Sequence, residues 1–294
     1  MMLLEGIYAP IPTPFVQGEI AYPQLAENLA KWSRTSLAGL VVMGSNGEAV
    51  FLEEREKVEL TAFVSSHTDK MVVAGTGCES TRATVRLTVA AARSGAQAAL
   101  VINPHYYRGG MSDKALIGFY TEVADNSPIP VIMYNMPSNT GVNIPAAVVA
   151  QAAAHPNIIG IKDSSGDIVQ MAEIVAAAPD DFAVFAGSGG YLLPALAVGA
   201  RGGTCAVANI LPEECARVVR LFREGRLEEA RIVQQRILPV NRAVTARWGV
   251  AGLKTAMDML GWFGGEVRPP LLALGPVERE ELRRILDHFR AAPA

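Results

Sequence analysis

The pattern that decides the fold is clearest at residues 158–167, which read IIGIKDSSGD. A short run of mostly β-branched residues bounded by turn formers is typical of a buried strand. The run ends in Lys162 and passes directly into a polar loop. The stretch therefore predicts a strand whose last residue carries an amine at the edge of the protein interior.

Similar apolar runs recur along the whole chain, and amphipathic stretches separate them. The predicted strands are Gly6–Ala9, Gly39–Met43, Met71–Gly75, Ala98–Ile102, Pro130–Tyr134, Ile158–Lys162, Phe182–Ala186 and Gly202–Val207. Helical spacing of apolar residues appears at Val85, Val89 and Ala92, and again at Leu116, Tyr120 and Val123. Strands that alternate with helices every 25–30 residues or so predict a closed (β/α)8 TIM barrel, an α/β fold. An open doubly wound sheet is the alternative, but the GxGxxG that usually follows its first strand is absent.

The pattern changes near residue 224, after which it is helical only. Helices are predicted at 226–244, 249–260 and 278–291, with a linker rich in Gly and Pro at 261–276. We therefore expect a barrel that carries the active site over residues 1–223 and a small C-terminal helical extension over 224–294. The apolar face formed by Leu282, Ile285, Leu286 and Phe289 must pack against the barrel or against a second subunit.

Composition excludes several classes of function. The 294 residues carry a net charge of −3 with both signs mixed, so there is no basic surface for nucleic acid. No apolar run approaches the roughly 18 residues of a membrane span, and Met1–Glu5 is too short and too acidic for a targeting peptide. Cys78, Cys205 and Cys215 form no CxxC pair, which fits a reducing compartment. We expect a cytoplasmic protein without a membrane partner.

Lys162 differs from the five other lysines because only Lys162 follows the apolar run of a strand. Burial disfavours the charged ammonium and so favours a neutral, nucleophilic amine. The alternative is a lysine whose side chain extends from the strand end to solvent. On its own the position makes Lys162 a candidate nucleophile and no more.

Polar loops follow the predicted strands, and in barrels of this kind the chemistry occurs where strands end. These loops read GSNGE (44–48), NPHYYRGG (103–110), YNMPSNTG (134–141), KDSSGD (162–167) and GSGG (187–190). Together they supply an amine, three phenols, several hydroxyls and glycine-rich turns with free N–H groups. This set suits an imine-forming site for a small anionic carbonyl compound. No histidine has the spacing of a metal ligand, so we expect no metal site.

Individual positions within these loops each allow two interpretations. Tyr134 closes the strand next to that of Lys162, where a phenol can relay protons, although a tyrosine packed at a barrel rim is common. The GSNGE loop can hold a carboxylate with its backbone N–H groups, or can be an ordinary turn. The loop that begins at Gly187 occupies a place where some barrels bind phosphate, or is likewise a turn.

In combination, the motifs resemble the N-acetylneuraminate lyase and dihydrodipicolinate synthase family of class I pyruvate aldolases. The resemblance runs from PIPTPF (10–15) to GLKTAMDMLGWFGGEVRPPL (252–271), which is nearly the whole chain. It implies a Schiff base between Lys162 and the C2 carbonyl of pyruvate or another 2-oxo acid. It also implies no metal or organic cofactor, and a homotetramer built as a dimer of dimers.

The resemblance implies further roles for residues of this chain. Tyr134 would be the acid and base that moves protons to the imine and to the aldehyde oxygen. Ser45 would connect Tyr134 to Tyr106, and Tyr106 would reach into the site of the neighbouring subunit. The backbone of Ser45 and Asn46 would hold the pyruvyl carboxylate. The substrate-binding residues implied in this way are Ser45, Asn46, Ser164 and Gly187.

Within the family, the motifs are most similar to those of the 4-hydroxy-2-oxoglutarate aldolases, which release pyruvate and glyoxylate. Dihydrodipicolinate synthases usually read GTTGE and carry an arginine in an SRTG turn, which helps to hold the carboxylate of aspartate semialdehyde. This chain has Asn46 and Asn139 at those positions. The synthase reaction, which condenses pyruvate with aspartate semialdehyde, is the main alternative. A non-catalytic barrel that binds 2-oxo acids is a further one, although a binder needs no nucleophilic amine.

Overall fold

Eight parallel strands close into a barrel, in the computed structural model that describes residues 4–291. Residues 1–3 and 292–294, which include the start of the stretch considered for targeting, lie outside the described residues. The barrel strands are β1 (Gly6–Pro10), β2 (Gly39–Val42), β3 (Met71–Gly75), β4 (Ala98–Ile102), β5 (Val131–Asn135), β6 (Ile158–Asp163), β7 (Ala183–Ala186) and β8 (Gly202–Thr204). Each strand pairs with its neighbours in sequence, and β8 pairs with β1. The predicted TIM barrel is confirmed.

Helices follow the strands and surround the barrel. They are α1 (Tyr22–Trp32), α2 (Glu54–Ser66), α3 (Thr81–Arg93), α4 (Asp113–Asp125), α5 (Pro137–Thr140), α6 (Ala146–Ala152), α7 (Ile168–Ala177), α8 (Leu192–Ala197), α9 (Pro212–Arg223), α10 (Leu227–Arg242), α11 (Gly249–Met259) and α12 (Pro276–Ala291). Side-chain caps define several starts: Ser80, Ser112 and Asp167 each accept a hydrogen bond from the amide three residues later. None of the helices within the described part of the chain is long and apolar enough to cross a membrane.

The last barrel strand is shorter than predicted. β8 ends at Thr204, whereas the prediction continued it to Val207. The chain instead forms a 3₁₀ turn at Ala206–Asn209, and the side-chain Nδ2 of Asn209 donates to the backbone carbonyls of Ala206 and Pro10. This side-chain bonding to the backbone replaces the strand ladder, although the segment is as apolar as a strand.

The apolar spacing predicted helices that form as α3 and α4, and the residues that carry the spacing are fully buried in α4 but not in α3. Leu116, Tyr120 and Val123 of α4 are fully buried. In α3 the buried residues are Thr84, Leu87, Thr88 and Ala91, while Val85, Val89 and Ala92 are half-buried. The Thr88 hydroxyl lies 2.8 Å from the hydroxyl of Thr76, so the two buried hydroxyls form a hydrogen bond with each other between α3 and the barrel.

The interior of the barrel forms a hydrophobic cluster of its own, separate from the larger core between strands and helices. Its members include Tyr8, Val41, Leu100, Ile132 and Phe185. This cluster fills the barrel up to the layer that holds Tyr134 and Lys162, so the stem of the lysine is surrounded by apolar side chains.

The last helix, α12, packs on α10 and α11. Leu282 and Leu286 of α12 are buried, and Ile285 and Phe289 are half-buried against the same core. The predicted apolar face of α12 therefore packs within the chain, against the other C-terminal helices. A π-helical turn at Ala243–Arg247 joins α10 to α11.

Candidate active site

Lys162 and Tyr134 are direct neighbours at the carboxyl ends of β6 and β5. The two residues are register partners in the parallel ladder. The Lys162 Nζ lies 4.2 Å from the centroid of the Tyr134 ring, and each residue is only 4% exposed. Because equivalent positions on paired parallel strands project to the same side, the ladder itself sets this geometry.

The electrostatic environment of Tyr134 favours its phenolate. Burial by itself would raise the pKa of Tyr134, but the Lys162 ammonium and hydrogen bonding with Ser45 together hold that pKa below its ordinary value. The two hydroxyl oxygens of Tyr134 and Ser45 are 3.4 Å apart. Tyr8, equally buried lower in the barrel, shows the opposite behaviour, since burial and Glu5 raise its pKa to about 12.

The GSNGE loop forms a 3₁₀ turn at Ser45–Gly47 directly after β2. Its first hydrogen bond runs from the Gly47 amide to the Gly44 carbonyl, so the amides of Ser45 and Asn46 have no acceptor within the turn. Met43 and Glu48, which flank the turn, have φ angles of 58° and 54°. A left-handed conformation costs a non-glycine residue roughly 1–2 kcal/mol, so the surrounding structure must impose this shape.

Ser164 and Gly187 meet at the entrance between β6 and β7. A Cβ atom at Gly187 would lie 1.9 Å from the Ser164 Oγ and 2.7 Å from the Asp163 carbonyl, so only glycine fits there. The Ser164 hydroxyl favours ionisation of Tyr134 through its proximity, but its Oγ is buried and makes no well-formed hydrogen bond with the described residues. A buried hydroxyl without a partner is suited to receive a polar atom of a substrate.

Asp163, next to the lysine, organises the floor of the site without being part of the predicted set. Its carboxylate accepts hydrogen bonds from Asn135 and Gln170, at 2.9 and 3.0 Å, and from the amide of Ser165. Its carbonyl accepts from the Gly187 amide and from the Tyr191 hydroxyl, at 2.7 and 3.0 Å. The position of Asp163 after the lysine could have suggested this role, although its partners could not be identified from sequence.

Tyr106 lies away from the other predicted site residues of the same chain. It is 77% exposed, and its ring contacts Tyr107 edge to face. Its backbone amide donates to Glu79, but within the described residues its hydroxyl has no hydrogen-bond partner and does not reach Ser45. The predicted Ser45–Tyr106 link is therefore absent from the single chain, and its formation across a subunit interface stays a prediction.

Asn139, in the loop after β5, is exposed in the short helix α5. The Arg108 side chain lies against Gly141 at the end of the same loop, where a Cβ would be 2.7 Å from its guanidinium. Arg247, by contrast, pairs with Glu281 and lies over the Trp248 ring. Of the two arginines, only Arg108 is adjacent to the loop that carries Asn139.

Sequence reasoning missed a second buried lysine. Lys254 in α11 is 1% exposed, and its Nζ lies 2.5 Å from the Glu48 carboxylate at the end of the GSNGE loop. Burial lowers the pKa of Lys254, although the nearby Glu48 acts in the opposite direction. The sequence did contain a signal for this burial, because Lys254 interrupts an apolar helical run. In the structure all six residues from Gly252 to Met257 are buried.

The assembled site offers a buried amine, a phenol of lowered pKa beside it, two backbone amides without an acceptor in their turn, and two hydroxyls. No group of three or more His, Cys, Asp and Glu side chains in the described part of the chain is arranged to hold a metal ion. The chemistry available from these side chains is imine formation with a carbonyl compound, assisted by proton transfer through Tyr134.

Comparison with known proteins agrees with this chemistry. Residues 3–289 match the sequence profile of the Dihydrodipicolinate synthetase family. The chain belongs to this family. The family resemblance inferred from the motifs is thus confirmed, and with it the class of enzyme, a carbon–carbon lyase of the aldolase type.

Individual family members carry two kinds of name. A 4-hydroxy-tetrahydrodipicolinate synthase of Methanothrix thermoacetophila is 35% identical over 286 residues, which cover 97% of this chain and 96% of the relative. A protein of Emericella nidulans named "Probable 4-hydroxy-2-oxoglutarate aldolase, mitochondrial" is 34% identical over 289 residues, or 96% of this chain and 93% of the relative. The crystal structure of a dihydrodipicolinate synthase from Bacillus anthracis superposes with a TM-score of 0.94 at 31% identity, with 100% of both chains covered.

Proposed function

We propose that Lys162 is the Schiff-base residue of a pyruvate aldolase and that Tyr134 is its acid and base. In this mechanism the Lys162 amine adds to the C2 carbonyl of pyruvate, and the adduct loses water to give a protonated imine. Loss of a C3 proton then gives an enamine that attacks the aldehyde of the second substrate, and water finally releases the product and the free amine. The observation that carries this proposal is the pairing of a buried amine with a phenol of lowered pKa on adjacent strands.

The remaining residues are assigned to binding. The amides of Ser45 and Asn46 face no acceptor within their turn and are suited to the pyruvyl carboxylate. The buried Ser164 hydroxyl is available to the second substrate, and Gly187 keeps the space beside Ser164 open. Tyr106 is assigned to the site of a neighbouring subunit in a homotetramer, which is consistent with its exposed ring.

For the second substrate, aspartate semialdehyde is the better-supported choice. Relatives named as 4-hydroxy-tetrahydrodipicolinate synthase predominate among the similar proteins, so similarity favours the alternative considered above over the glyoxylate-forming reaction. Arg108, which lies against Gly141 at the mouth of the site, offers a guanidinium to the carboxylate of such an aldehyde. For this aldehyde the last step differs: after C–C bond formation its own amine, rather than water, attacks C2 of the imine and displaces the Lys162 amine. This closes the ring to give 4-hydroxy-tetrahydrodipicolinate, and the water lost when the first imine formed is the only by-product.

One observation keeps cleavage of 4-hydroxy-2-oxoglutarate as a second candidate. Asn139 stands where synthases usually carry an arginine, and a neutral amide holds a carboxylate about half as strongly as a guanidinium does. Such a site favours a short aldehyde acid such as glyoxylate. The similar protein of Emericella nidulans carries the corresponding name.

Two measurements test the proposal at its two levels. Borohydride added with pyruvate should attach a reduced pyruvyl group to the peptide of Lys162 and to no peptide in Lys162→Ala, while Lys114→Ala, which alters an exposed lysine, should be labelled normally. Labelling of another lysine would refute the assignment.

The substrate is decided by comparing kcat/KM for condensation with aspartate semialdehyde and for cleavage of 4-hydroxy-2-oxoglutarate. A ratio of about tenfold, or roughly 1.4 kcal/mol, in either direction is decisive. If cleavage is faster, Asn139→Arg should shift the ratio toward condensation.

A further inference from the structure

The turn that presents the Ser45 and Asn46 amides is held in a conformation that its own sequence does not favour. Met43 and Glu48, at the two ends of the turn, are both left-handed, with φ angles of 58° and 54°. Neither is a glycine, so the local chain resists this shape. Contacts from outside the loop must therefore hold it.

Those contacts come from three distant segments. The Thr13 hydroxyl donates to the Gly47 carbonyl at 2.7 Å. The Glu48 carboxylate accepts from the Arg268 amide at 2.8 Å and pairs with the Lys254 Nζ at 2.5 Å. Only the last of these is an ion pair.

The ion pair between Glu48 and Lys254 is almost completely removed from water. The two side chains are 1% and 2% exposed, respectively. Lys254 also donates to the Glu266 carbonyl and lies 4.5 Å from the centroid of the Phe15 ring. A buried ion pair of this kind contributes little net stability compared with apolar residues of similar volume, so we look for its role in the geometry that it specifies.

We propose that Glu48 and Lys254 are positioning residues that fix the turn from which Ser45 and Asn46 bind the substrate carboxylate. The inference rests on the proposed function, because it assumes that pyruvate binds at this turn. Neither residue touches the reacting atoms: Glu48 imposes the left-handed end of the turn, and Lys254 holds Glu48 from helix α11. In this arrangement a residue of the C-terminal helices controls the affinity of the barrel for pyruvate.

The test is borohydride trapping of the pyruvate imine in the full-length protein, followed as a function of pyruvate concentration. In Lys254→Met we expect the half-saturating pyruvate concentration to rise about tenfold, equivalent to roughly 1.4 kcal/mol of binding. The trapping rate at saturating pyruvate should change far less, because Lys162 and Tyr134 are untouched. Such a split between binding and chemistry is not expected from a general loss of stability.

Lys31→Met is the matched control. The Lys31 Nζ also joins the barrel to the C-terminal region, through a 2.6 Å hydrogen bond to the Gly261 carbonyl, but it does not contact the turn. The half-saturating pyruvate concentration of Lys31→Met should stay at the value of the unaltered protein. An equal rise in both variants would overturn the inference.

A double variant keeps the test valid if Lys254→Met does not fold. Lys254→Met/Glu48→Gln leaves no unpaired buried charge and should fold, with the same rise in half-saturating pyruvate. An unchanged value in a folded single or double variant refutes the positioning role while leaving the proposed function intact. Failure to trap pyruvate on the unaltered protein would refute the proposed function and the positioning role together.

Discussion

Replacing Tyr134 with phenylalanine separates catalysis from packing at the centre of the site. The substitution removes one hydroxyl from a residue that is 4% exposed and leaves its ring in place. The protein hydrogen bond of that hydroxyl is long, with 3.4 Å to the Ser45 Oγ, against about 2.7–2.8 Å for a typical O–H···O bond. We therefore expect Tyr134→Phe to lose less than about 1 kcal/mol of unfolding free energy.

The expected effect on turnover is much larger. A positioned acid and base typically contributes about 10²–10⁴-fold, which corresponds to roughly 2.7–5.5 kcal/mol in the activation barrier. Tyr134 should lie within this range because it is the register partner of Lys162, whose charge offsets the effect of burial and lowers the pKa of the phenol from its ordinary value. The assay is release or consumption of pyruvate under saturating substrate, combined with urea unfolding of the same preparation.

Tyr8→Phe is a matched control for Tyr134→Phe. Tyr8 has the same 4% exposure inside the same barrel, and its hydroxyl donates only to the Met71 sulfur at 3.2 Å. Because its pKa is raised to about 12, it is unsuited to proton transfer near neutral pH. Tyr8→Phe should retain turnover within about threefold of the unaltered protein, a difference of about 0.6 kcal/mol. Equal turnover losses in both variants, or full activity in a folded Tyr134→Phe, would refute the assignment.

Three further predictions concern other parts of the structure. Gly187→Ala should lower activity at least about tenfold and should lower the free energy of unfolding by about 1–3 kcal/mol, because the added Cβ would overlap Ser164. Activity assays and denaturant unfolding of the same preparation check the two effects. Mixed Tyr106→Phe and Lys162→Ala subunits should regain activity if sites are shared; a fully active monomer in sedimentation would contradict this. The hydrogen bond from Arg268 lowers the pKa of Glu56, so this pair stabilises the fold above about pH 4.3 and its contribution is lost as pH falls. The thermal unfolding midpoint of Glu56→Gln should therefore fall less steeply with decreasing pH than that of the unaltered protein. Parallel plots of midpoint against pH for the two proteins would exclude this contribution.

The barrel and the central pair of residues could be predicted because both depend on local patterns. Strands that alternate with helices have only a few ways to close, and the run of residues that ends at Lys162 indicates where its side chain emerges. The proximity of Tyr134 then follows from the order of the strands. The motifs of the remaining loops identified the family, and the roles that the family implies for Ser45 and Asn46 stay predictions.

What escaped prediction depends on contacts between distant parts of the chain. The Arg268 amide and the Glu48 carboxylate are 220 residues apart in sequence, and no periodicity connects them. Lys254 appeared as an ordinary helical lysine because its partner could not be seen. The 2.8 Å contact between the hydroxyls of Thr88 and Thr76 joins α3 to the loop after β3 and likewise has no signal in the sequence.

The contacts of the C-terminal helices argue that they belong to the active site. Lys254 of α11 holds the GSNGE loop, and α10 holds the loop after β7: Gln234 donates to the Gly189 carbonyl at 2.7 Å, and Asn241 donates to the Ser188 hydroxyl at 3.1 Å. The division at residue 224 reflects where the strand pattern stops, and it stays a prediction as a domain boundary. Because buried polar side chains beyond that point hold two loops at the carboxyl ends of the strands, the shape of these loops depends on the C-terminal helices as well as on the barrel.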